Sequence, residues 1–215
     1  MLAQLNASQP TFNRLPGPSL VPHLVFENPW PIVGVLMVSA AVVWFGLRFR
    51  LGERRAALCA GVLLLGAGAM WAISHRVKTD REHVIEGTRK LIDAIARPQP
   101  EIVRTLTAPG GWARAYRRWE RDELIDMIEF AARNEGRYTV GGSSFAVRSY
   151  RVREIRAEVR SQRIARTQVN VVGETDSGPP TPTWFELDWD KGDDGVWRVR
   201  SVELLWDLIG GNHAR

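Results

Sequence analysis

The chain has 215 residues with 29 basic and 24 acidic side chains, a formal charge of +5, and one cysteine, Cys59. That length allows one or two domains, and a single cysteine excludes both an intrachain disulfide and a cysteine-built metal cluster. The charge is unevenly placed: seven basic residues stand against two acidic ones up to Lys78, so the remaining chain carries 22 of each and is neutral. A neutral domain lacks the net positive face that nucleic-acid binding requires.

Residues 1–28 contain Pro10, Pro16, Pro18 and Pro22, few charges and no sustained periodicity. They read as an extended, mostly disordered tail, and they lack the basic start and short apolar run of a secretory signal.

Residues 29–78 read as a membrane anchor. Two segments, about 30–47 and 56–73, hold no charged side chain, and each has the roughly 18 residues that cross a ~30 Å hydrocarbon core as a helix. Pro31 falls in the first turn of the first helix, where its missing N–H costs nothing. A short loop from Arg48 to Arg55 carries Arg48, Arg50, Arg54 and Arg55. The positive-inside rule makes this loop cytoplasmic and puts both termini outside, with Trp30 and Trp71 at the outer interface. Ala57 and Gly61 form a small-xxx-small pair that lets helices approach closely, within the hairpin or between copies.

Residues 79–208 read as a single soluble domain, followed by a flexible tail, 209–215. Thr79 and Glu82 have capping-box spacing, and Val84, Thr88, Leu91, Ile92 and Ile95 recur at helical spacing to about Ala96. Pro98 and Pro100 end that helix, and a short helix follows from Glu101 to Leu106. Ala108 to Gly111 reads as a loop, and Trp112, Tyr116 and Trp119 fall at helical spacing. Leu124, Ile125, Met127, Ile128, Ala131 and Ala132 mark a third, amphipathic helix closed by Gly136.

Beyond Gly142 the apolar period becomes 2. A long strand carries Phe145 through Val159, with a parity slip near Arg153 and Glu154 that predicts a bulge. A second strand carries Ala165, Thr167, Val169 and Val171 and ends in a loop over 174–180. A third carries Phe185, Leu187 and Trp189, and a fourth runs from Trp197 through Leu204 after a turn at 190–195. No long helix separates the strands, so the sheet is expected to be antiparallel and the class α+β.

This order of elements, with the closing run Asp194-Gly-Val-Trp-Arg-Val-Arg-Ser-Val-Glu-Leu204, resembles the NTF2-like (SnoaL-like, cystatin-like cone) superfamily. The resemblance implies three helices packed on a curved four-stranded antiparallel sheet behind the transmembrane helical hairpin. It also implies a choice of roles, because that superfamily spans enzymes, ligand carriers and non-catalytic assembly domains.

Enzymes of this resemblance often place a His, Asp or Tyr inside the cone, which makes His83, Tyr116 and Asp188 the weak catalytic candidates. His83 and Glu86 lie three apart on one helix, but they supply two ligands where a metal site wants three or four, and both lie off the apolar stripe. Tyr116, Trp119, Tyr138 and Tyr150 could line a pocket, although aromatics beside a curved sheet more often form core. Glu186 and Asp188 share a strand face with Trp184, opposite Phe185, Leu187 and Trp189, a parity that favours solvent or a partner over a cavity. Arg148, Arg151, Arg153, Arg156, Arg160, Arg163 and Arg166 form the densest basic run, interleaved with Glu154 and Glu158; cross-strand salt links explain it more simply than an anionic surface.

No glycine-rich phosphate loop, Ser/His/Asp spacing or zinc-protease motif is present, so no cofactor or metal is expected. The leading expectation is a membrane-anchored, extracytoplasmic, non-catalytic domain that pairs with itself or with an envelope protein. The alternative is a small-ligand-binding or SnoaL-like enzymatic cone on the same tether.

Overall fold

The structure, a computed structural model, describes residues 12–16, 29–76, 79–115, 117–207 and 211–212. It divides into two units, one of residues 18–82 and one that joins residues 1–17 to residues 83–215.

The first unit is a pair of helices, α1 (Trp30–Leu51) and α2 (Glu53–Arg76). Only Gly52 separates them, at φ +82°, a conformation that costs glycine nothing and other residues a good deal. The expected loop over 48–55 is therefore helical on both sides of one residue, and Arg48 reaches Glu53 across it at 3.3 Å. The helices pack on each other. Val33, Ala40, Ala56, Ala60 and Ala67 are buried, whereas Val35, Val38, Val42, Leu58, Val62 and Leu65 are all well exposed.

Mostly small residues lie inside the pair and large apolar ones outside it. Within the helical pair, Ala57 and Gly61 are not the contact: Ala57 is exposed, and a Cβ on Gly61, Gly66 or Gly68 would meet open space. Ala56 and Ala60, one position earlier, are the buried pair. Among the described residues one helix, Glu53–Ala72, is long and apolar enough to cross a membrane, and the apolar part of α1, Trp30–Gly46, is shorter. The two expected spanning helices thus reduce to one that meets the requirement and one that falls short of it.

The second unit holds α3 (Asp80–Ala96), α4 (Pro100–Leu106) and α5 (Arg121–Arg133) with strands β1 (Thr107–Arg114), β2 (Arg118–Glu120), β3 (Arg137–Val140), β4 (Ser143–Val159), β5 (Ile164–Thr175), β6 (Gly178–Lys191), β7 (Trp197–Asp207) and β8 (Gly211–Asn212). The predicted capping box starts α3: Glu82 N–H donates to Thr79 Oγ1 at 3.2 Å and Thr79 N–H donates to Glu82 Oε2 at 2.8 Å. A second box, from Glu120 and Glu123, starts α5.

The sheet order is β2-β1-β7-β6-β5-β4-β3, with β8 added to β7. The four expected strands are its long centre, and the class is α+β as expected. The bulge falls where parity predicted it, between Val152 and Glu154. Four short strands were not expected. Thr107–Arg114, read as a loop leading into a helix-like aromatic segment, is a strand one in from the sheet edge. It pairs parallel to β7 and antiparallel to β2, so the sheet is not wholly antiparallel. Gly111 makes that contact possible, since a Cβ there would stand 3.2 Å from the carbonyl oxygen of Val199.

The expected loop over 174–180 shrinks to a turn at Asp176 and Ser177, held by the Asp176 carboxylate. It accepts from the Ala146 N–H at 2.9 Å and from Arg137 Nη1 at 2.7 Å. Pro179, Pro180 and Pro182 lie in the first part of β6.

Period-2 alternation divides the sheet into two faces. On one, Ala165, Val169, Leu187, Trp189 and Val199 pack with Val84, Leu91, Ala94, Val103, Ile125, Ile128 and Ala131 of the helices. On the other lie Arg166, Gln168, Asn170, Trp184, Glu186, Asp188 and Ser201.

Candidate functional site

The inner face is closed by a satisfied polar chain inside an apolar core. Trp189 is fully buried, and its ring lies against Gly87 of α3. Its Nε1–H donates to Thr167 Oγ1 at 3.1 Å. Thr88 donates its single hydroxyl proton to the Val84 carbonyl at 2.8 Å, so in the 3.2 Å contact between Thr88 and Thr167 the donor is Thr167. Every donor here has a partner, which is what permits polar atoms at this depth. Leu187, Ile125 and Leu91 fill the surrounding space.

Two of the sequence-derived candidates, His83 and Asp188, do not converge. His83 is exposed on α3, and Glu86, its proposed co-ligand, pairs with Lys90 at 2.9 Å. Asp188 lies on the opposite face of the sheet from the helices, with one oxygen accepting from Arg166 Nε at 2.7 Å and the other from Ser201 Oγ at 3.1 Å. Tyr116 lies outside the described residues. Among the described residues no three His, Cys, Asp or Glu side chains assemble as a metal site.

Tyr138 is core: its hydroxyl donates to the Ile95 carbonyl, and burial pushes its pKa up to about 12. Tyr150 donates to Asp93 Oδ1 at 2.5 Å. That hydrogen bond first, and burial second, raises its pKa.

The arginine run is largely neutralised. Arg156 meets Glu154 at 2.6 Å, Arg160 meets Glu158 at 3.1 Å and Arg163 meets Asp193 at 2.5 Å. Arg166 bridges Glu186 at 2.9 Å and Asp188 at 2.7 Å. Of these four, Arg166 makes the expected cross-strand link, from β5 to β6, whereas Arg156 and Arg160 meet carboxylates two residues back along the chain and Arg163 meets the turn after β6.

The outer face of the sheet carries the arrangement that the sequence did not disclose. Residues 12–16, read as part of a disordered tail, lie on it. Gln168, 2% exposed, uses its whole amide. Its Oε1 accepts from the Leu15 N–H at 2.8 Å, and its Nε2 donates to the Asn13 carbonyl at 2.9 Å and to Glu186 Oε2 at 2.9 Å. Arg156 Nη1 donates to the Leu15 carbonyl at 3.1 Å. Both backbone groups of Leu15 are thus read by side chains.

Phe12 joins Trp184, Leu205 and Trp206 in a separate apolar cluster, with its ring 5.1 Å from that of Trp184. The Arg14 guanidinium stands over the same indole at 5.4 Å, a cation–π placement. The outward parity of Trp184 and Gln168 was visible in the sequence. Phe12 and Leu15 are two of several scattered apolar residues in a proline-containing tail, with no period to signal a partner.

No protein-family model and no curated protein sequence matches the chain. Among solved structures it is similar to an NTF2-like protein from Cytophaga hutchinsonii, at 13% identity and a TM-score of 0.48, over 59% of this chain and 98% of that one. It is also similar to a protein with a cystatin-like fold from Caulobacter vibrioides, at 16% identity and a TM-score of 0.45, over 57% of this chain and 86% of that one. A hexachlorocyclohexane dehydrochlorinase from Novosphingobium barchaimii is a third such structure, at 11% identity and a TM-score of 0.44, over 63% of this chain and 94% of that one.

Proposed function

We propose that this chain is a non-catalytic protein-interaction domain held at a membrane by its helical pair. The observation that carries the reading is the outer face of the sheet, where Gln168, Arg156 and Trp184 already hold a stretch of polypeptide by its backbone and its side chains. The indole of Trp189 in the interior and the dispersal of His83 and Asp188 support a binding role over a catalytic one.

The same observation bears on topology. Residues 12–16 precede the helical pair and residues 83–215 follow it, yet they form one unit. Segments that touch within one molecule share a compartment, which supports an even number of crossings for any membrane-spanning chain between them. That favours α1 and α2 crossing together, with the apolar exterior of the pair in lipid. The arginines at 48, 50, 54 and 55 favour placing the turn in the cytoplasm and the domain outside it. There the domain would associate with a second copy or with an envelope protein.

Crosslinking of the full chain in lipid nanodiscs, read by mass spectrometry, tests this function. Crosslinks between copies, or to one stoichiometric protein partner, are the expected result. A strictly lone monomer carrying a tightly bound small molecule would overturn it.

A further inference from the structure

We propose that the outer sheet face is a recognition site for an extended peptide of the pattern aromatic–any–arginine–aliphatic, and that residues 12–15 are its tethered ligand. The proposal rests on the reading of this face as an interaction surface and goes on to say what the surface takes.

Two sets of contacts define the site. The first is indifferent to sequence. Gln168 pairs with the chain at Asn13 and Leu15 as a neighbouring strand would, and Arg156 caps the Leu15 carbonyl. Residues i and i+2 of an extended segment present their backbone groups to the same side, so one amide reaches both. The second set selects. Phe12 and Leu15 are buried at 8% and 6% exposure, and Arg14 stacks on Trp184. Asn13 and Pro16 are exposed and are free to vary.

The receptor side is built for an occupant. Gln168 is 2% exposed and Asn170 6%, so this polar face is desolvated where it is covered. Without the segment, Gln168 would lose two of its three partners, and Trp184, Trp206 and Leu205 would form an uncovered apolar patch of the kind that marks an interaction site.

Three side chains and three backbone hydrogen bonds make a weak ligand when free. A tether raises its effective concentration to the millimolar range, so the chain's own segment holds the site while an untethered peptide of the same pattern competes for it.

The test uses the full chain in detergent or nanodiscs and a fluorescent peptide of residues 9–18. A chain carrying Phe12→Ser and Leu15→Ser is expected to bind the peptide saturably, with at least tenfold higher apparent affinity than the unaltered chain, whose own segment competes. Adding Gln168→Leu to that chain should weaken binding about tenfold or more. Changing the peptide instead of the protein removes any question of folding: peptides with Phe→Ser or Arg→Glu at the positions of Phe12 and Arg14 should lose binding to the same protein sample.

Equal binding to both chains, indifference to the peptide's aromatic and arginine, or pairing of two copies through this face without uptake of peptide would each overturn the proposal. The crosslinking result under the proposed function stands apart, since a chain can capture this peptide and still be a lone monomer, or form an oligomer and ignore the peptide.

Discussion

The ring of Trp189 lies so close to Gly87 that a Cβ on Gly87 would stand 2.8 Å from Cη2 of the indole. The helix crosses the sheet at van der Waals distance from that ring, and glycine is what allows the approach. Alanine would improve helix propensity by up to about 1 kcal/mol, but the fully buried indole has nowhere to move. Overpacking costs about 1–3 kcal/mol, so Gly87→Ala should destabilise the domain by roughly 1–2 kcal/mol on balance, read as a lower urea midpoint at unchanged slope.

The Trp189–Thr167–Thr88 chain gives a second prediction. Thr167→Val leaves the Trp189 Nε1–H buried with no acceptor, and an orphaned buried donor costs about 1–3 kcal/mol. Trp189→Phe removes that donor along with some ring volume. Denaturation of the two single variants and the double should show coupling, with the double less destabilised than the sum by about 1 kcal/mol.

Acid sensitivity should localise partly to the turn before β7. Asp194 accepts from Arg198 Nη2 at 2.6 Å and from the Val196 N–H at 3.1 Å, and its pKa is lowered to about 2, first by Arg198 and then by that backbone bond. A carboxylate with a depressed folded pKa contributes stability that is present above its ordinary value near 4 and lost as pH falls towards 2. Asp194→Asn should therefore flatten the acid limb of a stability–pH curve between about pH 4 and 2. An unchanged limb would show that the turn opens before Asp194 titrates.

The alkaline limb has the opposite sign. The pKa of Tyr138 is raised to about 12 by burial, so its contribution is complete below its ordinary value near 10 and disappears as pH rises through about 12. A spectrophotometric titration of the phenols should show this tyrosine ionising late and together with unfolding, and Tyr138→Phe should remove that step.

Sidedness is testable with single cysteines. In a Cys59→Ser background, cysteine at Asn13 and cysteine at Ser177 should react alike with a membrane-impermeant maleimide on intact cells, because both belong to one unit. Cysteine at Arg54 should react only after permeabilisation. Opposite behaviour of Asn13→Cys and Ser177→Cys would rule out an even number of crossings.

The long strands and the helices that cover them were legible because each repeats one period over enough residues to be read: Ile125, Ile128 and Ala131 for α5, Thr167 and Val169 for β5. The bulge at Val152 and Glu154 was legible as a slip in that period. Strands β1 and β2 were not, because strands of eight and three residues carry too few alternations, and Trp112, Tyr116 and Trp119 mimic a helix stripe by spacing alone. The small-residue contact between the helices was predicted one residue out, since an alanine- and glycine-rich stretch offers several equivalent stripes. The outer-face site was hidden for a different reason. It pairs Leu15 with Gln168, 153 positions apart, and no local pattern encodes a contact of that range.

That separation gives the chain an order of events. Phe12, Arg14 and Leu15 are synthesised well before Trp184, Leu205 and Trp206. At about 5–20 residues per second, the segment waits on the order of ten to forty seconds for the surface it will occupy. During that time the sheet has to be completed. Docking of residues 12–16 is then a late step that only a chain extended through β7 can take. A chain that stalls or is clipped before β7 lacks Leu205 and Trp206, so the bound segment marks a completed sheet.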